Sequence, residues 1–315
     1  MIKTIAVLGA GTMGRGIAIN FALGGYDVNL FDSFEAAREN APALIKSDLD
    51  FMAENNVHTQ EKADEAFKKI SMFDDMIKAA KEADFVIEVV PEILELKQDI
   101  FAQLDKECKP ECIFASNTSS LKLSDMMAKL PDERKKRTMI CHYYNPAHLL
   151  PIVELSNYGN MPREIFDEVS DMYYKAGKQP VRVDKDVMGM VANRIQNAMA
   201  REVYSIIENG IATAEEVDKA IKFGPCFRYA TTGQEECTDM GGIDVWSRVA
   251  DNLWGELEAR TTSPKILTDK VAEGKLGIKT GEGFYKYDTP EKKEKVLKDF
   301  QKRLMIQLIA SENYK

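Results

Sequence analysis

A chain of 315 residues has room for two domains, on a prior of about 100–200 residues each. With 44% hydrophobic and 30% charged residues it can bury a sizeable core, and no apolar run approaches the ~20 residues needed to span a bilayer. The 42 basic and 51 acidic residues leave a net charge of −9, which argues against nucleic acid as the main partner and leaves any anionic ligand to local donors.

The first residues, Met1 to Leu8, enter an apolar strand at once, without a basic leader, a long apolar stretch or a small-residue cleavage site. No secretory signal is therefore expected. The five cysteines are odd in number and form no Cys-x-x-Cys pair, so reduced thiols, a soluble cytoplasmic protein and no metal site are expected. Apolar strands then alternate with longer amphipathic stretches, the pattern of a mainly parallel sheet wrapped by helices. The strands are expected at Ile5 to Leu8, Val28 to Phe31, Phe85 to Val89, Ile113 to Ala115, Thr138 to Cys141, Ile152 to Glu154 and Gln179 to Val183. A helical pair fills Glu35 to Lys69, and a further helix runs near Pro162 to Ala176.

Past Asp186 the pattern changes to successive helices. Val191 to Glu208 has helical apolar spacing and stops at Asn209-Gly210, and Thr213-Ala214-Glu215-Glu216 reads as a capping box. Gly224 to Gly242, rich in Gly and Thr, is expected to be irregular; helices follow at Ile243 to Leu257 and from Pro290 onward. The boundary falls near Asp184-Lys185-Asp186, giving an α/β domain over 1–185 and a helical domain over 186–315.

Gly9-Ala10-Gly11-Thr12-Met13-Gly14 fits Gly-x-Gly-x-x-Gly between a strand and a helix. Gly9 and Gly11 allow a tight turn and a close approach to a pyrophosphate, Gly14 allows close helix–strand packing, and the helix N-terminus supplies free N–H groups. Asp32 ends the next strand, where a carboxylate accepts both ribose hydroxyls and repels a 2′-phosphate, favouring NAD over NADP. A bare glycine turn beside a surface Asp, or mononucleotide or flavin binding, are the competing readings.

His142 closes a strand, and Glu154 lies twelve residues on in the apolar run Pro151 to Leu155. Hydride transfer needs a base for the hydroxyl proton, and imidazole titrates in the right range. A buried carboxylate needs a partner; if Glu154 meets His142 it fixes the tautomer and stabilises the imidazolium. Alternatively, the two never touch. Ser116-Asn117-Thr118-Ser119-Ser120 follows a strand and either caps a helix or offers hydroxyls to a ligand at the sheet edge. Asn193 and Arg194 either cap locally or serve an interdomain cleft through Asn193.

With these residues in place, the chain resembles the 3-hydroxyacyl-CoA dehydrogenase family over nearly its whole length. The matching stretches are Gly9 to Gly14, Phe114 to Leu121, His142 to Pro146 with Glu154, Val191 to Ile195, and Lys279 to Tyr287. The resemblance implies a Rossmann-type NAD-binding domain followed by a helical substrate and dimerisation domain, with the active site between them. It implies His142 as general base with Glu154 as its partner, and Ser119 and Asn193 on the substrate's reacting oxygens. On the cofactor it implies Gly9, Gly11, Thr12, Met13 and Gly14 at the pyrophosphate, Asp32 at the adenosine ribose, and Glu92, Lys97 and Asn117 on the nicotinamide side. It further implies NAD as cofactor, a homodimer, and a short-chain substrate such as 3-hydroxybutyryl-CoA.

The resemblance weakens in the helical half. The family's Gly-Pro-Phe-Glu-Leu-x-Asp-x-x-Gly-Leu-Asp run corresponds here to Gly233 to Asp244, without the Pro and Phe. Upstream, Phe227-Arg228-Tyr229-Ala230 is similar to relatives acting on free hydroxy acids, the gulonate and carnitine dehydrogenases. Arg228 either pairs with a substrate carboxylate or is a solvated surface arginine. A coenzyme A ester would instead need cations for its phosphates, for which Arg38, Lys46 and Lys122 are the candidates. The leading expectation is an acyl-CoA substrate, followed by a free 3-hydroxy acid. A non-catalytic, crystallin-like NAD-binding protein is the reading from another class, and the joint presence of His142, Glu154, Ser119 and Asn193 argues against it.

Overall fold

The computed structural model describes residues 1–157 and 159–314. The chain forms two compact units, Met1–Val191 and Ala192–Lys315. In the first, β1 (Thr4–Leu8), β2 (Asp27–Phe31), β3 (Ile70–Phe73), β4 (Phe85–Glu88), β5 (Ile113–Ser116), β6 (Thr138–Tyr143), β7 (Ile152–Ser156) and β8 (Gln179–Val183) form one sheet. Its order is β3-β2-β1-β4-β5-β6-β7-β8. Every pairing is parallel except β6 with β7. The first six strands thus follow the doubly wound 3-2-1-4-5-6 order of a Rossmann sheet, with the direction of winding reversing between β1 and β4.

Continuous burial along β1 and β4 reflects a sheet covered on both faces. The helices of this unit are α1 (Thr12–Leu23), α2 (Glu35–Glu54), α3 (Gln60–Lys68), α4 (Met76–Ala80), α5 (Leu94–Glu107), α6 (Leu123–Met126), α7 (Asp132–Lys135) and α8 (Arg163–Lys175). One core cluster packs Phe101 of α5 on Phe114 of β5, their rings stacked at 5.8 Å. The expected helical pair over Glu35 to Lys69 is present, but β3 lies just beyond it where no strand was expected. It is an edge strand hydrogen-bonded to β2 alone, and its Ile-Ser-Met-Phe run is too short and too partly exposed to carry a clear period.

The second unit contains only helices among its described regular elements longer than a bridge: α9 (Ala192–Glu208), α10 (Ala214–Phe223), α11 (Pro225–Thr232), α12 (Gln234–Gly241), α13 (Ile243–Leu253), α14 (Lys265–Ala272) and α15 (Pro290–Ser311). The expectation of irregular chain from Gly224 to Gly242 is overturned. Gly233 and Gly242 adopt φ of 79° and 92°, which reverse the chain between helices, and Pro225 starts α11. The glycines punctuate helices here instead of dissolving them. At α10, Thr213 caps the Glu216 N–H, but the Glu216 carboxylate pairs with Lys219, so the box is half made. No helix among the described residues is long and apolar enough to cross a membrane.

Candidate active site

β1 ends in the glycine turn at the reversal of winding. A Cβ on Gly9 would stand 2.9 Å from the Val89 carbonyl oxygen, beyond β4, and the residue holds φ at 118°. A Cβ on Gly14 would lie 1.7 Å from the Gly9 carbonyl oxygen, so α1 can press onto the turn only without a side chain there. Gly11 differs: nothing comes within 4 Å of where its Cβ would stand. That open cradle faces a helix N-terminus without a side-chain cap, which leaves first-turn N–H groups for an anion. At the end of β2, the Asp32 carboxylate accepts from Ala10 N at 2.7 Å and from Phe34 N at 2.9 Å. These features fit a dinucleotide: space for a pyrophosphate beside Gly11, and an acidic group fixed near the turn. Arg38 donates to the Asp32 and Ser33 carbonyls at 2.8 and 3.0 Å, tying down the exit of β2.

The antiparallel pairing of β6 with β7 sets His142 directly opposite Glu154. Their side chains meet, with His142 Nδ1 and Glu154 Oε2 3.0 Å apart. Glu154 is fully buried, and its other oxygen accepts the Val191 N–H at 2.8 Å. With a carboxylate at Nδ1, the neutral ring carries its proton there and keeps its lone pair at Nε2. Tyr144 stands edge-on to the imidazole at 5.2 Å, its hydroxyl pushed up to about 12 by burial and by the Glu154 charge.

A second polar cluster joins β4, β5 and α5. Lys97, almost fully buried, donates to both Glu88 oxygens at 2.8 and 2.9 Å and lies 3.3 Å from Glu92. Ser116 also donates to Glu88, and Thr118 and Ser120 donate to Glu92. Burial works against the Glu92 carboxylate, but these hydroxyls and the Lys97 charge outweigh it and hold its pKa below the ordinary value. Asn117 accepts the Tyr143 N–H at 2.8 Å and donates its own N–H to the Glu88 carbonyl at 3.0 Å, locking the exit of β5 to its neighbours. Ser119 is exposed in the same loop.

The structure thus brings His142 to Glu154, and gathers Glu92, Lys97 and Asn117. Sequence reasoning missed Glu88 and the Val191 N–H, and it set Ser116 after the strand, whereas Ser116 is the last residue of β5 and donates to Glu88. Glu88 ends a strand that is buried along its whole length, which is the signal that could have found it, since a carboxylate there demands a buried cation. Elsewhere, Lys46 is held by Asp50 at 2.5 Å and Asp64 at 3.1 Å, and Lys122 is exposed at the start of α6. Arg228 lies exposed on α11, 5.5 Å from the Tyr229 ring. Asn193 stands in the first turn of α9.

A glycine turn at the reversal of a parallel sheet, an acidic group at β2 and a buried imidazole–carboxylate pair define an NAD-dependent oxidoreductase with a Rossmann domain. The NAD-binding domain of 3-hydroxyacyl-CoA dehydrogenase matches residues 4–187, and the C-terminal domain of the same enzyme matches residues 189–287. The chain belongs to the 3-hydroxyacyl-CoA dehydrogenase family. It is 31% identical over 293 residues to 5-formyl-3-hydroxy-2-methylpyridine 4-carboxylate 5-dehydrogenase of Mesorhizobium japonicum, covering 92% of each chain. It is 33% identical over 296 residues to the mitochondrial hydroxyacyl-coenzyme A dehydrogenase of Mus musculus, covering 91% of this chain and 92% of that one. Among solved structures, a 5-formyl-3-hydroxy-2-methylpyridine 4-carboxylic acid 5-dehydrogenase, described as an NAD+-dependent dismutase, superposes with a TM-score of 0.91 at 29% identity over 100% of both chains. The (S)-3-hydroxybutyryl-CoA dehydrogenase of Ralstonia eutropha gives 0.73 at 31% identity, over 92% of this chain and 100% of that one.

Proposed function

We propose that this enzyme oxidises a small free carboxylic acid bearing an H–C–O–H unit, rather than a coenzyme A thioester. That unit is either the secondary alcohol of a 3-hydroxy acid or the hydrate of an aldehyde, which presents the same bonds to a base and a hydride acceptor. The observation that carries the reading is the full-length likeness, at a TM-score of 0.91, to a dehydrogenase named for a pyridine carboxylate. Two local facts support it. Of the three cations considered for coenzyme A phosphates, Lys46 is held by two aspartates and Arg38 by two carbonyls. Arg228, in the stretch similar to free-acid relatives, has its guanidinium exposed on α11.

Bound NAD supplies the hydride acceptor. His142 takes the hydroxyl proton at Nε2, and Glu154 stabilises the resulting imidazolium through Nδ1. In reverse, protonated His142 polarises the carbonyl and returns the proton. Ser119 and Asn193 hold the reacting oxygen, and Arg228 binds the substrate carboxylate. Asp32 takes the adenosine ribose, the Gly9 to Gly14 turn with Thr12 and Met13 takes the pyrophosphate, and Glu92, Lys97 and Asn117 order the nicotinamide side. The N-terminal domain carries the cofactor, while the helical domain supplies substrate contacts and the contacts of a homodimer. A coenzyme A thioester is the second reading, favoured by the match to the Mus musculus enzyme and by exposed Lys122 beside the serine-rich loop.

The test is a substrate panel. Free 3-hydroxy acids and pyridine-ring aldehyde carboxylates with NAD are compared with acetoacetyl-CoA and NADH. A free acid is expected to exceed the thioester in kcat/KM by about 100-fold, or near 3 kcal/mol in the transition state. Thioester turnover at or above that of every free acid would overturn the reading.

A further inference from the structure

The helical unit contains a cleft that the reaction does not require. Arg194, Arg201 and Tyr204 recur at helical spacing on one face of α9, where they line a cavity of about 660 Å³. The opposite wall is the segment from Arg260 to Pro264, which carries the hydroxyls of Thr261, Thr262 and Ser263. This wall is clamped onto α9. Glu202 accepts the Glu258 N–H at 2.7 Å, Glu208 accepts the Ile266 N–H at 3.0 Å, and Arg260 pairs with Glu208 at 2.7 Å and Glu258 at 2.5 Å. Nearby carboxylates are thereby spent on the frame, and no Asp or Glu among the described residues lines the cavity. Arg201 makes only a long bond to the Arg260 carbonyl, at 3.4 Å, and its guanidinium has no carboxylate partner among the described residues. Arg194 has none either, in a chain whose acids exceed its bases by nine.

We propose that this cleft binds a small dicarboxylate, with Arg194 and Arg201 each receiving one carboxylate end. Seven residues along a helix separate the two positions by about 10 Å, which suits an anion charged at both ends better than a compact one. Each guanidinium offers a planar fork that matches a carboxylate in two parallel hydrogen bonds, and the hydroxyls of the clamped wall add donors. In a chain of net charge −9 no general field gathers anions, so such a ligand depends on these local groups.

Calorimetric titration of the full chain, without substrate, tests the site with succinate, phthalate, acetate and inorganic phosphate as probes. The two dicarboxylates are expected to bind once per chain with Kd at or below about 1 mM, and acetate about tenfold more weakly. Arg194→Gln and Arg201→Gln should each weaken succinate by about tenfold, with Arg201→Lys intermediate. Binding should persist in Arg228→Gln, which removes the arginine assigned to the substrate carboxylate and so separates this site from the catalytic one. Phosphate binding as tight as succinate would overturn the dicarboxylate assignment. No saturable heat with either dicarboxylate, or an equal loss in the control Arg248→Gln on α13, would overturn the site altogether.

Discussion

His142 would be a poor base if either ring nitrogen could carry the proton. Glu154 removes that freedom: its carboxylate is acceptor-only, fully buried, and already engaged by the Val191 N–H on its second oxygen. Replacing it by Gln puts an amide donor in a pocket built for two acceptors, so one of its two partners is mismatched. Glu154→Gln should therefore lower kcat by about 10³-fold, comparable to losing a tautomer-fixing carboxylate elsewhere, while NADH affinity by fluorescence titration stays within a factor of about three. His142→Gln should abolish turnover and also retain NADH. Near-normal turnover in either variant would remove the pair from the mechanism. A different buried base, Lys178, bears on stability. Its Nζ donates to the Ala147 and Leu150 carbonyls at 2.5 and 2.7 Å, and burial pulls its pKa down to about 7. The unfolded chain, with an ordinary lysine near ~10.4, binds more protons than the folded one between those values. This contribution therefore rises as pH climbs from about 7 toward 10, and below about 7 the penalty is fully present and flat. Urea midpoints of the wild type and Lys178→Met, measured across that range, should diverge in favour of the wild type at high pH; parallel curves would show that the amine does not titrate there.

At the scale of elements, residues that act within one strand or hairpin were readable, and those that depend on parallel register were not. His142 and Glu154 lie twelve positions apart on consecutive strands, and a single antiparallel turn brings them opposite each other. Glu88 and Ser116 meet only because β4 and β5 pair in parallel across the whole of α5, a register that no local period announces. Seven of the eight strands were legible: five central ones because both faces are buried, and β2 and the edge strand β8 by their apolar content despite partial exposure. The edge strand β3 and the short α14 were not. The Glu88–Lys97 pair tests how far this hidden register matters. Lys97→Met strands a fully buried carboxylate and should cost about 3–5 kcal/mol in urea unfolding. Adding Glu88→Gln removes the orphan charge and should recover a good part of that loss. A double variant no more stable than Lys97→Met would mean that packing of the lysine stem, and not charge pairing, holds β4 to α5.

For the whole molecule, the two units differ in how well they bury themselves. The sheet of the first unit is covered, while in the second only Val217, Cys237 and Met305 are buried hydrophobics among the described residues. Phe223, Phe227, Ile243 and Trp254 there are 75%, 71%, 66% and 72% exposed. A unit of this size needs more apolar burial than that to offset its ordering entropy, and a covering partner, as the proposed homodimer supplies, would provide it. A second copy of the chain is the occupant that the homodimer reading requires, and the demand is steepest on α11 and α13, which carry Phe227 and Ile243. Light scattering on the eluted protein should then give twice the 35.5 kDa chain mass. Introducing a charge at Phe227 or Ile243, as in Phe227→Asp and Ile243→Asp, should shift that mass toward a single chain, because a buried unpaired carboxylate at an interface costs several kcal/mol. A single-chain mass for the wild type would instead require this surface to close on its own molecule.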